Sequence, residues 1–340
     1  MCVRVTASGR ERAAVFYLVN VLLCPITLIG YVIWVVRIAM AGGASRASIT
    51  AQGPLSARWF MHALGVRHDE AAYRLLMALP STSRPALLMT GGPMLLARRL
   101  TGYVPRAFRY PFEGDVPPQF EASARVTFVD AAVERHLAGI DQFVILGAGF
   151  DTRAFRLPRP RQIRCFEVDT PHTQAGKRQL LDEVGIDSSG ITFVTADFQT
   201  EDWLARLVEA GFDPHHPAVF LWEGVIMYLD RPAVESTLRK ISGTAPGSVL
   251  VFDYFTVEPL TSPGLYWRYG RIATRAVGEP FRFGVDSTPP SRDRLLELLR
   301  SCGLALGEQR TFGQEADGKR AWGGFAVATV AAEQVTPPQS

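Results

Sequence analysis

The sequence predicts an open, doubly wound α/β fold with a mostly parallel sheet. Short apolar runs, of the kind found in strands buried on both faces, alternate along the chain with stretches of helical periodicity. The first run, 143–146, stops at Gly147-Ala148-Gly149, where a backbone almost without side chains can turn sharply against a ligand. Parallel strands bring their carboxyl ends to one edge, where such folds bind ligands. Acidic residues stand at four of these ends: Asp151, Asp169, Asp197 and Glu223.

The individual elements follow from the same patterns. A helix over 120–137 leads into the first strand, and Asp151-Thr152 offers N-cap chemistry for a helix that begins at Arg153. Residues 255–290 are rich in aromatic residues and glycine without a clear period, which predicts an insertion that supplies an acceptor pocket or, alternatively, a packed loop. Further helices are predicted at 174–184, 201–210, 231–242 and 291–302. The other six of seven strands are predicted at 163–169, 191–194, 218–222, 248–254, 304–311 and 322–330.

Residues 13–36 carry no charge and predict a membrane segment. A single helix of this length would measure about 36 Å, enough to cross a bilayer core of about 30 Å. Arginines flank the segment on both sides, so both flanks are expected in the cytoplasm, where the catalytic domain would also lie. One hypothesis is therefore two half-length helices, broken near Cys24-Pro25, that re-enter the same leaflet. The alternative is a hydrophobic helix packed on the protein's own core.

Composition shifts divide the chain into four predicted parts. Residues 1–45 form a tail with the hydrophobic segment, and a small polar linker begins near 41. Residues 46–120 are helical, with breaks expected at Pro80, Pro85, Gly91-Gly92-Pro93 and Pro105, and form a cap that packs on the main domain, covers the site or faces lipid. Residues 121–332 form the α/β domain with the insertion 255–290, and residues 333–340 a disordered tail.

Composition excludes several classes of function. The chain has 340 residues, 47% of them hydrophobic and 20% charged, as expected of a globular protein. A net charge of +3 with dispersed basic residues gives no basis for nucleic-acid binding. Four distant cysteines without a CxxC pair, and histidines without a ligand pattern, imply no metal and no disulfide framework. Lysine at only three positions, against abundant arginine, suggests a GC-rich bacterial genome.

Asp169 stands 20 residues after Gly149, at the end of the second predicted strand. An acid at this position accepts hydrogen bonds from the ribose hydroxyls of an adenosine ligand. No arginine is placed to meet a 2′-phosphate. The alternative for Asp169 is a helix N-cap before Pro171.

Four motifs together resemble class I S-adenosylmethionine-dependent methyltransferases, and more specifically the bacterial members of the leucine carboxyl methyltransferase-like family. The resemblance covers about 122–253, more faintly 49–58, and implies a seven-stranded Rossmann-like methyltransferase fold. Asp151 replaces the usual third glycine, as in that family, whereas Phe198 departs from its common leucine and the segment 13–36 is outside the family pattern. The motifs are LGAGFDTRAFRL, FEVDTPHTQAGKRQLL, ADF at 196–198 and EGVIMYL at 223–229, with SARV before Phe128 as a weaker element.

The resemblance implies S-adenosyl-L-methionine as cofactor and assigns residues to each part of it. The methionine carboxylate is expected at Arg125, with Gly147 and Gly149 along the methionine moiety and Glu223 near its amine. The ribose is expected at Asp169. The adenine is expected at Asp197 and the Phe198 backbone.

The expected reaction is O-methyl transfer to a carboxylate or hydroxyl of a small or lipid-like acceptor. A carboxylate is already a nucleophile, so positioning in a water-poor site would supply most of the rate. Arg153 and Tyr228 are candidates for orienting the acceptor. Structural roles are the alternatives: Arg153 would pair with Asp151 or Asp169, and Tyr228 would belong to the core.

Two other functions remain open at this stage. An NAD-dependent oxidoreductase uses the same strand, glycine turn and acid, but it requires a third glycine near Thr152 and a catalytic constellation that the sequence does not show. A non-catalytic, membrane-associated nucleotide-binding protein would keep the fold and the acids without turnover.

Overall fold

The computed structural model describes residues 8–41, 50–157, 163–276 and 278–331. Most of the predicted linker after residue 41 and the whole of the predicted tail 333–340 lie outside the described residues. The helices, in chain order, are α1 Gly9–Leu22, α2 Cys24–Ala41, α3 Gln52–Ala63, α4 Glu70–Ala78, α5 Arg84–Thr101, α6 Glu121–Leu137, α7 Pro171–Glu183, α8 Trp203–Glu209, α9 Arg231–Ser242, α10 Glu258–Thr261, α11 Leu265–Ala276 and α12 Ser291–Ser301.

A seven-stranded sheet forms the centre of the protein and confirms the predicted fold class. Its strand order is β3-β2-β1-β4-β5-β7-β6, with the first five strands parallel and β7 antiparallel between β5 and β6. Each predicted strand is present within two residues of its expected bounds. The strands are β1 Gln142–Leu146, β2 Arg164–Asp169, β3 Ile191–Thr195, β4 Val219–Trp222, β5 Val249–Phe255, β6 Leu304–Phe312 and β7 Gly323–Val330.

The apolar run of β1 is buried on both faces of the sheet because each face is covered by helices. Val144 and Leu146 belong to one core cluster, together with Leu207 of α8. Phe143 and Ile145 point the other way and pack in a second cluster on the opposite face. A parallel strand needs this continuous apolar run since neither face meets water.

Two elements of the α/β domain differ from expectation. Only a short 3₁₀ turn, Arg153–Arg156, follows the first glycine turn, instead of an α-helix. The segment 255–290, predicted to lack a period, contains the amphipathic helix α11. The apolar stripe of α11 faces outward, and only Trp267 of this helix is buried.

The predicted helical cap consists of α3, α4 and α5, which share a core with α7 through Trp59, Leu75 and Leu181. The expected break at 91–93 is wrong, because α5 continues through Pro93. Gly91 is required by packing, since a Cβ there would lie 2.8 Å from the ring of Phe60. Tertiary contacts thus override the weak helix propensity of this segment.

The N-terminal hydrophobic segment forms two helices, α1 and α2, bent by 60° at a break beside the predicted position. Among the described residues no single helix is long and apolar enough to cross a membrane, whereas this bent pair passes that test of length and composition together. Both helices rest on α5, with the Phe16 ring centroid 5.2 Å from that of Tyr103 and Gly30 against Ala86. Only Phe16 and Gly30 are buried within 8–37, so this segment has no core around it.

The contact of Gly30 with α5 generates a prediction. An alanine Cβ at position 30 would lie 2.7 Å from both the Ala86 oxygen and the Met89 Cβ, whereas one at Gly92 would meet nothing within 4 Å. We expect Gly92→Ala to stabilise its helix by up to about 1 kcal/mol. Gly30→Ala should instead separate α2 from α5 at a cost of about 1–3 kcal/mol.

Hydrogen exchange of the α2 amides in detergent micelles measures the difference between these two variants. Faster exchange in Gly30→Ala than in both Gly92→Ala and wild type is the expected result. Equal protection of α2 in the two variants would contradict the packing described for Gly30.

Candidate active site

A cleft of about 320 Å³ opens at the carboxyl edge of the parallel strands, within the usual size of small-molecule sites. It lies beside the ends of β1, β2 and β4, as predicted from the acidic residues. All four of those acids line it, and so do most of the other predicted site residues. The predicted residues that line the cleft are Gly147, Gly149, Asp151, Asp169, Asp197, Phe198, Glu223 and Tyr228.

The glycine turn after β1 depends on backbone conformations that favour glycine. Gly147 and Gly149 have φ of +66° and +45°, in the left-handed region. A Cβ at Gly147 would also overlap the side chain of Val225, and one at Gly149 would lie 3.0 Å from the Ala51 Cβ. The turn therefore brings the β1 backbone to the wall of the cleft.

Asp169 ends β2 directly beside this turn. Its Oδ2 accepts a hydrogen bond of 2.6 Å from the Gly149 N–H, and its Oδ1 accepts one of 2.7 Å from the Thr170 N–H. Burial raises the pKa of Asp169, although these backbone donors partly offset it. A carboxylate held in this way keeps lone pairs for a hydroxylated ligand in the cleft.

Asp197 and Phe198 follow β3 at the next position along the edge. Asp197 is half-buried, and its Oδ1 accepts a 2.8 Å hydrogen bond from the Gln199 N–H. The Phe198 ring packs against Trp203 and Trp222, with centroids 6.0 and 6.5 Å away. The backbone at 197–198 is therefore fixed from below by the aromatic core.

Glu223 ends β4 and is surrounded by guanidinium groups. Its carboxylate contacts Arg58 at 3.4 Å, Arg125 at 3.2 Å, and Arg153. Burial opposes its ionisation, but Arg153, Arg58 and Arg125 outweigh this effect and lower the pKa of Glu223. Glu223 is thus an ionised carboxylate at the floor of the cleft.

Arg125 lies behind Glu223 and is not among the residues that line the cleft. Its Nη1 pairs with Asp253 at 3.1 Å and with Glu121 at 3.2 Å, and its Nε faces Glu223. Its Nη1 is shared by two of these acids, whereas its buried Nε has no hydrogen-bond partner among the described residues. Direct contact of Arg125 with a ligand carboxylate, as the family resemblance implies, is therefore not what the geometry shows.

Arg153 is likewise absent from the lining of the cleft, which corrects the expectation that it contacts the acceptor. Its side chain is 3% exposed and contacts Asp130 at 2.8 Å, Asp151 and Glu223. Burial opposes the ionisation of Asp130, but Arg153 and Arg67 outweigh this effect and lower the pKa of Asp130. In the same way, Arg153 and Arg58 outweigh burial and lower the pKa of Asp151. The pairing with Asp151 is the structural alternative that the sequence left open, and Arg153 is a positioning residue.

Tyr228 lines the cleft, as a group facing an acceptor would. Burial raises its pKa to about 12, although the neighbouring Thr50 side chain opposes this shift. Its ring packs on Phe281 of the insertion with centroids 5.8 Å apart. Tyr228 is therefore a neutral phenol at the wall of the cleft at physiological pH.

Sequence reasoning assigned no role to several residues that line the cleft. Arg58 of α3 reaches it from the cap and pairs with Asp151 at 2.9 Å, and its Nε is buried without a hydrogen-bond partner among the described residues. The signal for Arg58 was the faint family similarity over 49–58. Glu279 and Arg282 come from the insertion, and Glu279 accepts a hydrogen bond of 2.5 Å from the Thr50 hydroxyl. The insertion therefore contributes residues to the lining of the cleft, as an insertion that supplies an acceptor pocket would.

The charges along the cleft are unbalanced. Five acids line it, Asp151, Asp169, Asp197, Glu223 and Glu279, against the two cations Arg58 and Arg282, so the lining residues alone have a formal charge of −3. Arg125 and Arg153 lie behind the lining and also pair with Glu223 or Asp151, so the excess negative charge lies at the acids without an ion pair among the described residues, Asp169, Asp197 and Glu279. Among the described residues no cluster of three or more His, Cys, Asp or Glu is placed to hold a metal ion. The acids without an ion pair suit a ligand that carries positive charge.

The sheet order and the glycine turn above an acidic edge define a Rossmann-like fold of the kind expected for class I methyltransferases. Residues 115–242 match the family model of leucine carboxyl methyltransferase. The match includes α6 and the strands β1 to β4, which carry most of the cleft.

Curated proteins are similar to part of the chain. Proteins named "Putative S-adenosyl-L-methionine-dependent methyltransferase" from Mycolicibacterium smegmatis and Mycolicibacterium gilvum are 40% identical over 151 residues and 34% identical over 184 residues. The first alignment covers 44% of this chain and 46% of the relative, and the second 52% and 57%. The chain therefore spans about half the length of the curated relatives it matches.

Similar solved structures include a DUF574 family protein from Streptomyces avermitilis, at 19% identity and a TM-score of 0.43, covering 81% of this chain and 96% of that one. Another is an O-methyltransferase family protein from Burkholderia thailandensis, at 16% identity and a TM-score of 0.41, covering 64% and 61%.

The buried charges behind the cleft generate a stability prediction. Arg153→Met keeps an unbranched side chain but leaves Asp130, Asp151 and Glu223 without their shared guanidinium. Removing one partner of a buried ion pair costs about 3–5 kcal/mol, and we expect that loss in urea unfolding at pH 7. Arg135→Met is the control, because the Arg135 side chain is 58% exposed and its pair with Glu308 should be worth less than about 1 kcal/mol.

The pH dependence of this loss has a definite sign. In the wild type the three carboxylates have lowered pKa values, so their stabilisation is present above the unfolded pKa of about 4 and is lost as the pH falls below it. Without Arg153 their folded pKa values rise, and the folded variant takes up protons first. The stability gap between wild type and Arg153→Met should therefore narrow from pH 7 to pH 5, and a constant gap would contradict this account.

Proposed function

We propose that the protein is an S-adenosylmethionine-dependent O-methyltransferase that acts on a carboxylate or hydroxyl of a small or lipid-like acceptor. The observation that carries the proposal is the acidic cleft over the glycine turn. S-adenosylmethionine has a sulfonium and an ammonium group against one carboxylate, so its net charge is opposite to the formal −3 of the cleft. The names of the curated relatives support the same class of enzyme.

The turn after β1 and the acidic lining of the cleft disfavour a nicotinamide dinucleotide as the ligand. A pyrophosphate is usually bound at the N-terminus of an α-helix, where free N–H groups and the helix dipole favour anions. Here only the 3₁₀ turn Arg153–Arg156 follows β1, and the first-turn carboxylate of Asp151 accepts the Arg153 N–H instead. The site therefore has neither the donors nor the charge that a dinucleotide requires.

The residues of the cleft suit the parts of the proposed cofactor. Asp169 would accept the ribose hydroxyls, Asp197 and the Phe198 backbone would hold the adenine, and Glu223 would pair with the amine. Arg58 would receive the methionine carboxylate in place of Arg125, because Arg58 lines the cleft and Arg125 does not. When bound, the cofactor supplies a methyl group on an electrophilic sulfur.

The acceptor side of the cleft is formed by Tyr228 and the insertion. Arg282 lines it without an ion pair or side-chain hydrogen bond among the described residues, which suits an acceptor carboxylate. The neutral hydroxyl of Tyr228 would donate a hydrogen bond to the acceptor or fix its orientation. A carboxylate acceptor needs no general base, so the chain's contribution is placement and exclusion of water.

Membrane attachment through residues 13–36, with the catalytic domain on the cytoplasmic side, is also part of the proposal. Thirteen large apolar side chains between Val15 and Val36 are 38–69% exposed, more than a soluble monomer normally leaves in water. The bend at the centre of the segment suits the re-entrant form. Recovery of the full chain in the soluble fraction after cell lysis would contradict this attachment.

Calorimetric titration of the full chain tests the cofactor proposal. We expect saturable binding of S-adenosylmethionine and S-adenosylhomocysteine but not of NAD. Asp169→Ala should weaken binding of both sulfur ligands at least tenfold, because it removes the ribose acceptor and the partner of the Gly149 N–H. Asp182→Ala, which removes an exposed acid of α7 that does not line the cleft, should bind as wild type does. Failure of both ligands to bind the folded wild type would favour the non-catalytic protein.

Methyl transfer to lipid extracts tests the acceptor proposal. With S-adenosylmethionine labelled in its methyl group, a carboxylate acceptor yields an ester that releases labelled methanol in alkali, whereas a methylated hydroxyl does not. We expect Tyr228→Phe to lower labelled product at least tenfold while S-adenosylhomocysteine affinity stays within twofold of wild type. Equal product from the variant would contradict an acceptor role for Tyr228.

A further inference from the structure

Helix α11 has an apolar face that the protein itself leaves uncovered. Leu265, Tyr266, Tyr269 and Ile272 fall at helical spacing on one side of α11 and are 81%, 63%, 64% and 57% exposed. The opposite side is well packed, since Trp267 is buried against Phe255 and Trp322. The exposed face is therefore not the result of a loosely held helix.

Polar contacts also hold α11 in place. The Arg271 guanidinium donates hydrogen bonds of 2.8 Å to the carbonyl oxygens of Pro259 and Ser262. Thr274 donates a hydrogen bond of 3.0 Å to the Gly270 carbonyl within the helix. The helix is thus fixed to the α/β domain with its apolar face turned outward.

The exposed face of α11 continues the apolar surface of the N-terminal helices. Tyr269 of α11 lies close enough to Tyr31 of α2 to add to the effect of burial, which raises the pKa of Tyr31, so the two side chains are neighbours. Helix α5, on which α1 and α2 rest, adds Leu88, Leu96 and Leu100 at 45–65% exposure. Exposed apolar side chains therefore come from four helices linked by contacts: α1 and α2 with α5, and α2 with α11.

Charge identifies the partner that these helices fit. Helix α11 contains three arginines and no acid, and Arg268 and Arg275 are exposed beside its apolar face. Helix α5 adds Arg84, Arg98 and Arg99 and also has no acid. Tyrosine and arginine next to aliphatic side chains are typical of helices that lie at the boundary between lipid headgroups and acyl chains.

The same helix leads to the mouth of the cleft. A Cβ at Gly270 of α11 would lie 4.0 Å from Phe281, whose ring packs on Tyr228 in the wall of the cleft. Residues 278–280 and Arg282, directly after α11, line the cleft as well. A surface in contact with α11 is therefore adjacent to the acceptor side.

We propose that α11 is an interfacial helix that lies on an anionic lipid bilayer, with Leu265, Tyr266, Tyr269 and Ile272 inserted at the level of the acyl boundary. Together with α1 and α2 it would seat the mouth of the cleft on the membrane surface. One consequence rests on the proposed methyltransferase function. If α11 lies on the membrane, the acceptor is an amphiphilic acid that enters the cleft from the bilayer.

A fluorescent probe at position 272 of the full chain tests the contact. Ile272→Cys and, as a matched control, Val208→Cys are prepared with Cys2 and Cys24 replaced by serine and are labelled with an environment-sensitive dye. Val208 is also an exposed apolar residue, at 41%, but it belongs to α8, which packs on the opposite face of the sheet from Trp267. Vesicles of phosphatidylcholine, with or without phosphatidylglycerol, and with bromine on the lipid chains, supply the membrane.

We expect a blue shift and quenching by brominated lipid at position 272 and neither effect at position 208. Arg268→Gln with Arg275→Gln should reduce the blue shift at position 272 on phosphatidylglycerol vesicles but not on pure phosphatidylcholine, whereas Arg300→Gln on α12 should leave it unchanged. A probe at 272 that stays in water while the chain floats with vesicles would overturn the proposal, and so would a chain that does not float. Calorimetric binding of S-adenosylhomocysteine by the labelled chain separates these outcomes from failure of the proposed function, because that binding does not depend on α11.

Discussion

The buried charge cluster around Glu223 is the interaction on which the candidate site depends. Arg58, Arg125 and Arg153 meet this one carboxylate from the cap, from α6 and from the turn after β1, and each also pairs with a second acid. Charges at this depth are tolerated only when they are mutually paired, so the cluster fixes the three elements relative to β4. The cap cannot move away from the cleft without breaking the contacts of Arg58.

The cluster also separates two kinds of residue that are easily confused in a sequence. Gly147, Gly149, Asp169 and Glu223 follow from strand ends and a glycine turn, because period and position decide where they lie. Arg125 and Arg153 occupy motif positions too, but their side chains form ion pairs with acids that only the folded chain brings close to them. Arg58 was not assigned a role, because its role depends on the packing of α3 beside Asp151, a residue 93 positions later in the chain.

The strands were predictable from apolar runs between turn signals. This pattern is clearest in the central strands β1, β4 and β5, which are almost fully buried, but the partly exposed β3 and β6 were also found, all within two residues of their bounds. The 3₁₀ turn after β1, the uninterrupted α5 and the helix α11 were not found. The continuity of α5 depends on a contact outside the local sequence, the Phe60 ring that Gly91 admits. The Asp151 carboxylate and the apolar stripe of α11 are local features whose consequences were not predicted.

The protein thus combines an acidic cleft at the carboxyl edge of the sheet with exposed apolar side chains on α1, α2, α5 and α11. The central claim is that S-adenosylmethionine binds in the cleft at the acidic edge of the sheet. A crystal structure of the full chain with S-adenosylhomocysteine tests it most directly. The account predicts the ribose at Asp169, the amine at Glu223 and the ligand carboxylate at Arg58. A ligand bound elsewhere, or a cleft still empty at saturating concentration, would contradict it.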